Sequence, residues 1–153
     1  MKRGDAIERA DAIGTLVFAL ATAGAVAARS LRPAAVAVSL GLFAVGCAVF
    51  LWAYLAGLGR SRRELVSVPG LFFLSGSAPK AVRRRLLALW ALQLVVGITG
   101  ASLRPFTPLA FGVLAPMFGL ALCGLWAARH GEFPPREQGV AADPASASLR
   151  DDD

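Results

Sequence analysis

Three stretches free of Asp, Glu, Lys, Arg and His constrain this chain most: Pro33 to Gly59, Leu86 to Leu103 and Pro105 to Ala128, of 27, 18 and 24 residues. A helix rising about 1.5 Å per residue needs roughly 20 apolar residues to cross the hydrocarbon core of a bilayer. Each stretch is therefore a candidate span. A fourth runs from Ala12 to Ala28 and is the shortest, at 17 residues. Composition agrees: 56% of the chain is hydrophobic, 17% is charged, and the mean hydropathy is +0.61. A soluble domain of 153 residues carries more charge. The sequence predicts an all-α integral membrane bundle of four transmembrane helices, with spans at about 12–28, 34–58, 86–103 and 106–128.

The first segment has a rival reading. Lys2 and Arg3, an apolar run and Ala25-Val26-Ala27 together resemble a secretory signal with a small-residue cleavage site. Asp5, Glu8 and Asp11 are foreign to a signal n-region, and the run exceeds the roughly 7 to 15 residues usual for its apolar part. Retention as a span is the reading adopted.

Lys and Arg sort the connectors. Residues 2–9 carry three, the loop 60–85 carries seven and the C-terminal tail three, whereas the two short connectors hold only Arg29, Arg32 and Arg104. Thirteen against three predicts two hairpins with both ends and the long loop in the cytoplasm. The net charge of +6 is then a property of topology and calls for no nucleic-acid partner. Two domains follow: a transmembrane unit over 1–131 and a Pro-rich tail over 132–153, read as a disordered cytoplasmic segment.

The halves share a pattern. Ser30-Leu31-Arg32-Pro33 recurs as Ser102-Leu103-Arg104-Pro105, and the helix after each copy ends in Leu-Trp-Ala, at Leu51-Trp52-Ala53 and Leu125-Trp126-Ala127. Duplication of one hairpin explains this; so does a shared solution to one turn, with Pro opening a helix and Arg marking the lipid boundary. Trp52, Trp90 and Trp126 near one set of span ends read as an aromatic belt. Small residues four apart, such as Ala19, Ala23 and Ala27, or Ala115, Gly119 and Cys123, predict close helix contacts and allow a homo-oligomer. Within the loop, the apolar run Val68 to Leu74 is placed in the headgroup layer, and Ser77-Ala78-Pro79 reads as a helix start.

Chemistry is sparse. No ionisable residue falls inside the charge-free spans, and the first offers only Thr15 and Thr22 as polar groups. That weighs against proton-coupled export of the small multidrug-resistance type, which depends on a membrane-embedded glutamate in the first helix. A pore lined by Ser39, Gln93 and Thr99 remains open. His130 stands alone, so a bis-histidine haem site has no ligands, and no metal site or cofactor is expected. Cys47 and Cys123 lack the Cys-x-x-Cys spacing of vitamin K epoxide reductase-like enzymes and read as packing residues. An interfacial lipid enzyme using His130 or Glu64 is a third, weaker option. Arg32, Arg104, Lys80, Arg83, Arg84 and Arg85 are the candidate contacts for anionic lipid or a partner protein, each cation being worth about 1 kcal/mol near an anionic surface. The expectation is a non-catalytic accessory or assembly subunit packing against membrane partners or lipids, with a small oligomeric channel or carrier as the alternative.

Ser102-Leu103-Arg104-Pro105-Phe106-Thr107-Pro108-Leu109-Ala110-Phe111-Gly112 through Gly124-Leu125-Trp126-Ala127-Ala128-Arg129-His130-Gly131-Glu132-Phe133-Pro134-Pro135 resembles uncharacterised small integral membrane proteins of high-GC actinobacteria. The resemblance covers about a third of the chain. It implies a four-helix protein of the cell inner (plasma) membrane and brings no site residues with it.

Overall fold

The computed structural model describes residues 4–135. The parts of the tail beyond Pro135, and Lys2 and Arg3, lie outside the described residues. Among the described residues there are five α-helices: α1 (Asp5–Ala27), α2 (Arg32–Arg60), α3 (Val68–Phe72), α4 (Lys80–Leu103) and α5 (Pro116–His130). Short 3-10 segments at Arg29–Leu31 and Pro108–Leu114 lead into α2 and α5. Among the described residues there is no strand, only an isolated bridge between Glu64 and Pro135. Among the described residues four helical segments are long and apolar enough to cross a membrane: Asp5–Ala27, Arg29–Arg60, Lys80–Leu103 and Pro108–His130.

These segments differ from the charge-free stretches in an instructive way. A helix does not stop where charge begins, because a polar side chain can face another helix or snorkel to an aqueous boundary. α1 accordingly begins at Asp5, not near Ala12, and α4 begins at Lys80, directly after the expected Ser77-Ala78-Pro79 start. The fourth span is two pieces. Pro116 lacks a backbone N–H, and the chain turns as a 3-10 helix up to Leu114 before the α-helix opens.

α1 buries one stripe, Ile7, Asp11, Gly14, Thr15, Phe18, Thr22 and Ala25, spaced by three or four residues as a helix face requires. Its other side exposes Ile13, Leu16, Val17 and Leu20, the inverse of a soluble helix and suited to lipid. The fourth segment is the central one: 61% of an apolar stretch of 18 residues within Pro108–His130 is enclosed by the protein, against 17% within Arg29–Arg60. Glycine lets neighbours reach it. A β-carbon at Gly46 of α2 would stand 2.7 Å from the backbone N of Phe118, and one at Gly97 of α4 would stand 2.8 Å from the carbonyl O of Gly112. Without a driving force from water, such backbone-to-backbone contacts supply the dispersion energy that holds the helices together.

The run Val68 to Leu74 packs one side on the bundle: Leu71, Phe72 and Leu74 are buried, Phe72 stacks on Phe50 of α2 with ring centroids 4.4 Å apart, and Val68 and Phe73 stay exposed. One expectation for the aromatic residues is corrected by the packing. Trp126 is not part of an outward-facing belt. It lies in the core, 4% exposed, with Ile7, Leu122 and Ala127, whereas Trp52 is 59% exposed. The register of α5 decides this, since its Trp falls on the side covered by α1.

Candidate functional site

Two polar constructions occur in this apolar fold, one inside the bundle and one at its end. The interior one begins with Asp11. Its position on the buried stripe of α1, one turn before Thr15, aims both side chains at α4 and α5. On α4 the buried stripe Leu86, Gln93, Gly97 and Gly100 brings Gln93 to the same level. The Gln93 Nε2 group donates to Asp11 Oδ1 at 3.0 Å and to Thr15 Oγ1 at 2.7 Å. Its Oε1 accepts from the backbone N–H of Gly119 at 3.2 Å. The Ala115 carbonyl, four residues before Gly119, accepts from the Phe118 N–H at 2.9 Å, which leaves the Gly119 N–H to Gln93, and Gly119 offers no side chain to keep the amide away. One amide thus ties three helices together.

Asp11 is 0% exposed and Gln93 1%. Asp11 Oδ2 is buried and has no hydrogen-bond partner among the described residues. Cys123, one turn after Gly119 on α5, is also fully buried. The expectation of a bundle without an interior ionisable residue is therefore corrected: Asp11 precedes the charge-free stretch but lies within the helix and inside the packing. The missed signal was spacing. Asp11, Thr15, Phe18 and Thr22 recur at helical intervals on the face that also carries Gly14.

The second construction centres on Arg60, at the last residue of α2. Its Nη1 donates to the carbonyls of Ala127 at 3.3 Å and Ala128 at 3.1 Å, its Nη2 to Gly131 at 2.9 Å, and its Nε to Glu64 Oε2 at 2.9 Å. The guanidinium also lies 5.1 Å from the Phe133 ring centroid. The Ala127 carbonyl also accepts the Gly131 N–H at 2.8 Å, whereas the Ala128 carbonyl has no helical donor, so the fork completes the end of α5 and ties it to the residue that follows. Backbone bonds fix the same end: Leu65 N–H to the Pro134 carbonyl at 2.9 Å and Glu132 N–H to that of Ser77 at 3.0 Å. Nearby, an open cavity of about 890 Å³ is lined by Arg60, Ser77, Trp126, His130 and Glu132, among others.

The six basic residues singled out from sequence do not converge. Arg104 donates to the Val26 carbonyl at 3.3 Å, closing the last turn of α1, and Arg32 is half-buried with its Nε unpartnered among the described residues. Lys80, Arg83 and Arg84 are exposed; Arg85, also exposed, meets Glu8 at 3.5 Å. Glu64 is occupied by Arg60 at 2.7 Å, and His130 packs edge-on against Trp126 at 5.7 Å. Among the described residues no three His, Cys, Asp or Glu side chains form a group that could hold a metal ion. Compared with protein-family models, curated proteins and solved structures, the chain matches none.

Proposed function

We propose that this protein is a non-catalytic subunit of the cell inner (plasma) membrane, of the small actinobacterial kind its second half resembles, that packs against partner membrane proteins or lipids in an accessory or assembly role. The observation that supports this reading is the uncovered length of α2. Leu40, Val45, Leu51, Trp52 and Leu55 are exposed along it, and Gly41, Ala44 and Ala48 form an exposed small-residue face against which another helix can lie. In this reading both ends and the 60–85 loop are cytoplasmic, and Lys80, Arg83, Arg84 and Arg85 rest against anionic headgroups, with Arg32 and Arg104 at the opposite boundary.

Purification of the tagged protein from its native membrane in mild detergent, with quantitative mass spectrometry, tests the reading. A stoichiometric membrane partner is the expected result. Recovery as a homo-oligomer alone would overturn the accessory role and favour the second reading, a small oligomeric channel or carrier. Asp11 is the observation in favour of that second reading, since ionisable groups buried in transmembrane helices mark ion and proton pathways.

A further inference from the structure

We propose that Asp11 is a proton-binding site, held by Gln93 and Thr15 and reached along the seam between α1 and α4. The amide fixes the nature of the ligand. Because the Gly119 N–H must meet an oxygen, Oε1 of Gln93 faces α5 and its NH₂ faces Asp11 and Thr15. A sodium or potassium ion at Asp11 would meet these N–H hydrogens where it needs lone pairs. A proton needs no such shell. Placed on Oδ2, it replaces a buried, half-bonded anion with a neutral carboxyl, whose one unfilled donor is the smaller penalty.

The seam opens to within one helical turn of Asp11, which itself does not line it. A cavity of about 650 Å³ at the α1–α4 seam is lined by Glu8, Arg9, Ala12, Arg85 and Leu89, among others. Glu8 lies one turn before Asp11 on α1, and Leu89 one turn before Gln93 on α4. Glu8 is the carboxylate at the mouth, and Arg85 faces it from α4 at 3.5 Å. The other ionisable groups on the elements packed here are the buried Cys123 of α5, one turn after Gly119, and, on the same helix as Asp11, Asp5 one turn before Glu8. Arg60 of α2 is engaged by α5 carbonyls and Glu64. The proton moves from water to the Glu8 carboxylate and from there to Asp11 Oδ2.

Infrared spectroscopy of the full chain in lipid nanodiscs tests this, through the C=O stretch of a protonated carboxyl. The wild type should show the band, ¹³C-aspartate labelling should shift it, and Asp11→Asn should abolish it. Asn placed together at Asp5, Asp143, Asp151, Asp152 and Asp153 should retain it, so the assignment stands even if the Asp11 variant fails to fold. Glu8→Gln should keep the band but slow its exchange in D₂O severalfold. Absence of the band at every pH where the protein stays folded would overturn the proposal, as would its loss on adding sodium or potassium. An unchanged exchange rate in Glu8→Gln would overturn the route. These outcomes are independent of whether a partner protein copurifies.

Discussion

Gln93 is the side chain on which the interior depends most, because each of its polar atoms completes a group on a different element. Replacing it by Leu keeps the volume and strands Asp11 Oδ1, Thr15 Oγ1 and the Gly119 N–H in a dry setting. Leaving a buried polar group unpaired costs about 1–3 kcal/mol. Gln93→Leu should therefore lower stability by about 2–4 kcal/mol, with the Asp11 and Gly119 groups dominating. Thr15→Val removes one acceptor only, and should cost about 1 kcal/mol. Denaturation of the purified variants in mixed micelles compares them. Counting uncharged residues hid this site from the sequence, because Asp11 falls just outside the apolar run that defines the first span. Gln93 was visible as a polar residue within a span, but its orientation depends on a backbone N–H freed by the opening of α5, and that is a tertiary fact.

The helices themselves were legible, since length and lack of charge leave little else for such segments to be in lipid. Their ends and the break before α5 were less so: Pro116 is one of several prolines near turns, and nothing local distinguishes it from Pro105 or Pro108. The small-residue ladders pointed to close packing but not to which rung carries it. Structure separates them. Gly46 touches the backbone of α5, whereas Gly41, five residues earlier on the same helix, has nothing within 4 Å of where a β-carbon would be. Gly46→Ala should cost about 1–3 kcal/mol, as overpacking against an immovable backbone does. Gly41→Ala should be neutral within about 0.5 kcal/mol, since it meets no neighbour. At the other construction, Arg60→Lys keeps the charge but loses the fork that spans the Ala127, Ala128 and Gly131 carbonyls. About 1–2 kcal/mol should be lost, a figure held down by the partial exposure of the pair with Glu64. Amide exchange should quicken in the last turn of α5 and leave α1 unchanged.

For the whole molecule, contacts place the N-terminal turn, the 60–85 loop and the end of α5 together. Arg85 meets Glu8, Gly4 lies against Trp126, and Leu65 bonds to Pro134. Phe106, fully exposed in the turn after α4 with a left-handed φ of 60°, belongs to the opposite end. This grouping makes orientation a single choice: if the loop is cytoplasmic, the N-terminal turn and the end of α5 are too. The proposed orientation makes that choice cytoplasmic on the charge count, seven Lys and Arg residues in the loop against Arg29, Arg32 and Arg104 in the short connectors, because insertion retains cationic segments on that side. Cysteines at Ser75 and Phe106, both exposed positions, test it in a chain with the half-buried native Cys47 replaced by Ala, native Cys123 being buried. A membrane-impermeant maleimide should label Phe106→Cys in intact cells and Ser75→Cys only after lysis. The reverse pattern would invert the molecule. It would also place the mouth of the α1–α4 seam, with Glu8 and Arg85, on the outer face, so that any proton reaching Asp11 by that route would come from outside the cell.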